Sequence, residues 1–262
     1  MSDVELAGRL AHTALRLLLA LREDGTLTGK PLGAAGDATA NAFLVRALAE
    51  ARPDDGVLSE EEKDNPRRLE KSRVWIVDPL DGTREYGEGR DDFAVHVALA
   101  INGAPEVAAV AMTDGVRTTA APMPLPPHDG PPRLVVSRSR PPAVAERCAE
   151  AIGAELVPMG SAGAKVLAVV KGEVDAYVHA GGQYEWDSAA PVGVALAAGL
   201  HCTRIDGSPL VYNQRDVLLP DLLICRPEYA APLLAACALP PLRDHQPIAR
   251  PTRRRFGPAN PW

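Results

Sequence analysis

Between Pro122 and Pro132 six of eleven residues are proline. Proline fixes φ and lacks the donor N–H, so no regular helix or ladder strand runs through such a stretch. The chain must therefore be built in two parts, residues 1–132 and 133–239, joined by a linker. The patterning on the two sides differs, which supports the division.

In the first part, Ser2-x-x-Glu5 is a capping box, and Leu6, Leu10, Leu17, Leu18 and Leu21 at helical spacing predict a helix to about Leu21. The glycines between Gly25 and Gly36 predict a loop or irregular hairpin. A second amphipathic helix is expected over Ala38–Ala51, with Phe43, Leu44, Ala47 and Leu48 on one face. Val74–Val77 reads as a buried strand ending at Asp78, and Phe93–Ile101 as another. Asn102-Gly103 then turns the chain back into Val107–Met112. In the second part strand and helix alternate: strand Leu134–Ser137, helix Pro142–Ile152, helix Ser161–Val170, strand Val174–Val178 and helix Trp186–Ala198. Strands over Leu200–Ile205 and Leu222–Ile224 and a helix over Glu228–Leu239 complete it. The expected fold class is α/β, an α+β N-terminal part followed by an α/β C-terminal part. Residues 240–262 are rich in Pro and Arg without periodicity and are expected to form a disordered tail.

A net charge of −6 argues against a nucleic-acid partner, which usually meets a basic excess. Only five residues are lysine: Lys30, Lys63, Lys71, Lys165 and Lys171. An anionic substrate would need a local basic pocket or bound metal. No apolar run reaches the ~18 residues a membrane span needs, and Asp3, Glu5 and Arg9 do not suit a signal peptide, so a cytoplasmic protein with no membrane partner is expected. The four cysteines, Cys148, Cys202, Cys225 and Cys237, show no metal-finger spacing and are expected to be thiols.

The chemistry concentrates in Asp78-Pro79-Leu80-Asp81-Gly82-Thr83, which follows the buried Val74–Val77 run. Pro79 favours a turn that folds Asp81 back beside Asp78, Gly82 allows close backbone approach, and Thr83 supplies a hydroxyl. Two like charges about 4 Å apart repel by roughly 4 kcal/mol at an effective dielectric of 20. A shared proton or a hard divalent cation relieves this, and the further acids Glu60, Glu61 and Asp187 favour the cation. The competing reading is that Asp-Pro and Asp-Gly merely form turns.

The DPLDGT string after an apolar strand resembles the inositol monophosphatase superfamily. So do Ser59-Glu60-Glu61 upstream and Trp186-Asp187-Ser188-Ala189-Ala190 downstream. The continuation Arg84-Glu85-Tyr86, the Val136–Arg140 segment and Lys165 are similar to its 3′(2′),5′-bisphosphate nucleotidase (CysQ-type) branch, with Arg140 where that branch has His. Ala180 stands where inositol phosphatases carry a sugar-binding Glu. Ala34 stands where a Thr often precedes the acid matched by Asp37, which otherwise reads as a helix cap.

The resemblance implies a layered α/β/α/β/α sandwich, with the metal site between its two parts. It implies two or three Mg²⁺ ions held by Glu60, Asp78, the Leu80 carbonyl, Asp81 and Asp187, with Thr83, Asp37 and Glu61 acting on the attacking water. The amides around Gly82, Thr83, Gly160 and Ser161 would cradle phosphate oxygens. Arg84, Ser137, Arg138, Arg140 and Lys165 would meet the rest of the substrate, although each charge alone reads more readily as a solvated surface group. The implied substrate is adenosine 3′,5′-bisphosphate or its phosphosulfate, by-product chemistry of sulfate assimilation. Broader action on inositol monophosphate or fructose 1,6-bisphosphate is the alternative, and a non-catalytic nucleotide-binding regulator a third. Homodimerisation and lithium sensitivity come with the family. Tyr184 and Trp186 read as core or as walls of a base pocket, and His96 as a sheet residue.

Overall fold

The computed structural model describes residues 1–127, 130–139 and 141–239. The expectations for Arg140 and for the 240–262 tail lie outside these residues. Among the described residues no helix is long and apolar enough to cross a membrane.

Two five-stranded sheets alternate with three helical layers. The first sheet has the order β1-β2-β3-β4-β5, with β1 (Gly56–Ser59), β2 (Arg73–Asp81), β3 (Ala94–Ile101), β4 (Ala104–Met112) and β5 (Gly115–Thr118). Only β1 and β2 run parallel; the rest is antiparallel, turned at Asn102-Gly103, where both residues take positive φ. The second sheet has the order β7-β6-β8-β10-β9, with β6 (Arg133–Ser137), β7 (Glu155–Met159), β8 (Ala176–Tyr184), β9 (His201–Thr203) and β10 (Leu218–Cys225).

Helices α1 (Asp3–Asp24) and α2 (Gly29–Ala51) cover the outer face of the first sheet, where Leu18, Leu44 and Leu48 pack on Trp75, Val97 and Leu99. Short α3 (Thr83–Gly87) follows β2. Helices α5 (Ala162–Val170) and α6 (Glu185–Ala197) lie between the sheets, in a core that joins Ile76 and Ala98 to Val166, Val194 and Leu222. Helices α4 (Ala145–Ile152) and α7 (Ala230–Ala238) close the far face on Leu134, Val178 and Leu223. This is the expected α/β/α/β/α layering. The middle core draws on both sides of the proline-rich stretch, because α5 and α6 belong to the second part yet seal the first sheet.

One expectation fails in an informative way. The segment expected as a loop from Gly25 to Gly36 is helical from Gly29 onward. Each glycine inside a helix costs about 1 kcal/mol against alanine, but here the missing side chains permit contact. A Cβ on Gly33 would lie 2.7 Å from Thr83 Cγ2, and one on Gly36 2.9 Å from Tyr86 Cε1. Tertiary packing of α2 on α3 overrides local propensity. Strand β7 was also not anticipated; it is an edge strand, the position in a sheet that tolerates its Pro158.

Candidate active site

Three carboxylates converge because of strand geometry. On a regular strand, residues three apart face opposite ways. Between Asp78 and Asp81 the partner strand advances only from His96 to Ala94, so β2 carries one extra residue. This bulge turns both acids to one side. Asp78 is locked by accepting a hydrogen bond from the Leu80 amide at 3.0 Å. The parallel register Ser59↔Val77 sets Glu60, the next residue, beside Asp78. Asp187 comes from the first turn of α6, where its Oδ2 accepts from the Tyr184 amide at 2.6 Å. Acceptor oxygens of Asp78, Asp81 and Asp187 lie within 4.8 Å of one another.

Such crowding is costly for charged forms. Burial first, then Glu60, Asp81 and Asp187, raises the Asp78 carboxyl well above the usual carboxylate range. Burial and then Asp81 push Asp187 to about 7. Glu60 is exposed by surface area, yet protein around the cleft removes enough solvent to drive it to about 7, with Asp37 adding to the effect and a hydrogen bond with Asp78 opposing it. Without a cation these groups hold protons up to about neutral pH.

Asp37 lies well inside α2 and therefore does not cap that helix. It is buried, and its Oδ1 has no hydrogen-bond partner. Burial, then Glu61, raises it to about 7, against a lowering by the Thr83 hydroxyl. Thr83 Oγ1 also lies 3.1 Å from the Leu80 carbonyl, the alternative acceptor for its one hydrogen. An all-oxygen set of carboxylates with an orphaned buried oxygen beside it fits a hard divalent cation such as Mg²⁺, and does not resemble the N/S set preferred by zinc.

A cleft of about 490 Å³ opens from the carboxylates and is lined by Glu60, Asp81, Gly82, Asp187, Ser137, Arg138, Gly160, Ser161 and Lys165. Gly82 adopts φ +90°, and a Cβ there would press on Asp92 O and Ser161 Cβ, each at 3.2 Å. Several predicted substrate contacts already have partners. The Gly160 amide donates to Asp92 at 3.2 Å, and Ser161 Oγ donates to Asp81 at 2.5 Å. Lys165 Nζ donates to the carbonyls of Gly160 and Ser161 and sits 5.3 Å over the Tyr177 ring, leaving one ammonium hydrogen. Burial lowers its pKa. Arg138 donates to Glu85 at 2.6 Å.

Arg84 is placed elsewhere. It lines a second cleft, of about 840 Å³, together with Lys30, Asp37, Glu61 and Thr83, and pairs at 2.8 Å with Glu88, which Arg138 approaches at 3.8 Å. The cations grouped in the sequence thus line two clefts, with Glu88 paired to both Arg84 and Arg138.

Some residues that shape the site carried no sequence signal. His96 is a sheet residue, but more than that. Its Nδ1 lies 3.1 Å from the Trp186 carbonyl and its Nε2 3.4 Å from Asp81 Oδ2, so it stands between two of the acid-bearing segments. Ser59 Oγ donates to Asn41, whose amide donates to Glu62, steadying the loop that carries Glu60 and Glu61. Buried Arg68 donates to Asp64, to the Asn213 side chain and to the Gln214 carbonyl, while Glu185 accepts from the Asn213 and Gln214 amides. This chain of bonds links the segment after Glu61 to the start of α6. Tyr184, 47% exposed, stacks on Trp186 with ring centroids 4.8 Å apart at the cleft wall.

Two sheets between three helical layers, with an acidic cluster at the shared ends of β1, β2 and α6, make the architecture of a metal-dependent phosphatase. The chain belongs to the inositol monophosphatase family, whose model matches residues 6–120 and 134–238 and skips the proline-rich linker. It is 54% identical over 239 residues to the 3′-phosphoadenosine 5′-phosphate phosphatase of Mycobacterium tuberculosis (strain CDC 1551 / Oshkosh), covering 85% of this chain and 88% of that protein. It is 32% identical over 199 residues to the 3′(2′),5′-bisphosphate nucleotidase CysQ of Escherichia coli (strain K12), covering 71% and 81%. The crystal structure of CysQ from Bacteroides thetaiotaomicron superposes with a TM-score of 0.74 at 26% identity, over 86% of this chain and 97% of that one.

Proposed function

We propose that this chain is a magnesium-dependent phosphatase that removes the 3′-phosphate of adenosine 3′,5′-bisphosphate, leaving AMP and inorganic phosphate. The observation that carries the reading is the convergence of Asp78, Asp81 and Asp187, the last two lining a cleft whose wall holds Lys165 and Arg138. The relatives named for this substrate support it.

Glu60, Asp78, Asp81, Asp187 and the Leu80 carbonyl are the residues that would hold the ions. Bound Mg²⁺ would supply Lewis acidity, lowering the pKa of water and offsetting phosphate charge. The chain's own groups supply the rest. Asp37 Oδ1, unpartnered and near neutrality in its titration, is suited to take a proton from the attacking water, with Thr83 orienting it and Glu61 close by. The free hydrogen of Lys165 and the outer face of Arg138 are placed for a second phosphate, and Ser137 lies beside them. Arg84 would act from the cleft that Asp37 lines.

The test is phosphate release from adenosine 3′,5′-bisphosphate, inositol 1-phosphate and fructose 1,6-bisphosphate, each with Mg²⁺ and with chelator. The proposal requires the nucleotide to be preferred and chelator to abolish turnover. Equal turnover of all three would replace it with a broad sugar-phosphate phosphatase.

A further inference from the structure

The outer helical layer carries chemistry that the phosphatase reading does not use. Cys148 on α4 and Cys237 on α7 face each other with their sulfurs 3.6 Å apart. Cys148 is wholly buried in the core between these helices and the second sheet, whereas Cys237 is half-buried and reachable from the surface. Beside them, Arg147 reaches from α4 to the end of α7, its Nε 3.4 Å from the Ala236 carbonyl and its other nitrogen 3.1 Å from that of Leu239.

We propose that Cys148 and Cys237 form a redox-active dithiol that closes to a disulfide, stapling α7 to α4. The two sulfurs are unequal. Either sulfur can donate to the other, but only Cys237 is reachable from solvent, and the contact with Cys148 together with the Arg147 guanidinium holds its thiol below the ordinary range. The thiolate is the nucleophile in exchange, so Cys237 reacts first. With a low-molecular-weight disulfide as oxidant, the Cys237 thiolate attacks one sulfur and expels a thiolate, giving a mixed disulfide. Cys148 then attacks Cys237 Sγ, its proton passes to the second thiolate as that leaves, and the protein disulfide forms. Two protein thiols and one small disulfide become one protein disulfide and two small thiols. The sulfurs must approach by about 1.5 Å to reach bonding distance. Helix α7 has nine residues and packs chiefly on α4, so a small shift of one helix on the other supplies that movement.

The other two cysteines set the alternatives. Cys202 packs into the core between the sheets and Cys225 into the outer core, so they occupy opposite faces of the second sheet and cannot pair without unfolding it. Cys225 shares the outer core with Cys237 and is the natural competitor.

The test treats the full-length protein with oxidised glutathione, counts thiols after denaturation, and maps linked peptides by mass spectrometry. The inference requires loss of two of the four thiols, one linked Cys148–Cys237 peptide, and a Tm higher by roughly 5 °C or more from closing an 89-residue separation. Phosphatase activity should not change, because the pair lies across the second sheet from the acidic cluster. Cys148→Ser should stop at a glutathione adduct on Cys237, and Cys237→Ser should leave Cys148 unmodified. Cys202→Ser and Cys225→Ser should still close the bond. Four free thiols in folded, oxidant-treated protein, or a Cys225–Cys237 link, would overturn the inference.

Discussion

Asp78 and Asp81, three residues apart on one strand, reach the same cluster because the strand is bulged by one residue between them. The acids of the cluster nevertheless sit differently. Asp81 accepts from Ser161 Oγ and from the amides of Ala162 and Gly163, so it also caps α5 from another segment of the chain. Asp187 makes only a local bond to Tyr184.

This difference separates two substitutions. Asp81→Asn should abolish turnover and cost about 1–2 kcal/mol of stability through the weakened cap. Asp187→Asn should abolish turnover yet raise Tm in chelator at pH 8, since it removes a like charge from the cluster. Denaturation in chelator, with phosphate-release assays, distinguishes them.

Gly33 sits against Thr83 with no room for a side chain. Gly33→Ala should cost about 1–3 kcal/mol from overpacking. Because the displaced residue is Thr83, kcat should fall while KM stays close to wild type, measured by steady-state kinetics below Tm.

Much of this geometry is legible in the sequence, and the rest is hidden for identifiable reasons. The acids and the strand that delivers them were readable because Asp78–Thr83 places turn residues directly after a Val/Ile/Trp run. The helical setting of Asp37 was not, since Gly33 and Gly36 look like helix breakers until α3 is packed on them. Arg84 and Arg138 looked equivalent beside their motifs; they flank one carboxylate, Glu88, yet line different clefts, and only the three-dimensional path of that turn decides it. His96 looked like an ordinary alternating residue because its partners come from elsewhere in the sequence.

Arg68 clamps the segment following Glu61 to the 213–214 loop that Glu185 also holds. Arg68→Leu leaves these acceptors unpaired and should cost about 2–3 kcal/mol. It should weaken Mg²⁺ activation as well, read as a higher Mg²⁺ concentration for half-maximal rate.

Tyr184 presents an exposed ring, stacked on Trp186, at the wall of the cleft. Base stacking on an aromatic ring is worth about 1–3 kcal/mol. Tyr184→Ala should therefore raise KM for adenosine 3′,5′-bisphosphate by about 10-fold, with little effect on fructose 1,6-bisphosphate. Tyr184→Phe should restore it.

The chelated protein should be most stable in mild acid. Asp37, Glu60 and Asp187 titrate near 7 in the fold but near 4 when unfolded. Their contribution is thus fully present below about pH 4 and is lost as pH rises through about 7. Thermal unfolding in chelator between pH 5 and pH 8 should show Tm falling over that range, and Mg²⁺ should restore more at pH 8 than at pH 5.

The central claim is that the Asp78, Asp81 and Asp187 carboxylates jointly hold the divalent ions that the chemistry needs. Calorimetric titration of Mg²⁺ into chelator-stripped protein at pH 7.5 tests it most directly, run on wild type and on Asp78→Asn and Asp187→Asn. Saturable binding with proton release in wild type, lost in both variants together with phosphate release, is the expected result. Undiminished Mg²⁺ binding in both folded variants, or wild-type turnover that persists in excess chelator, would contradict it.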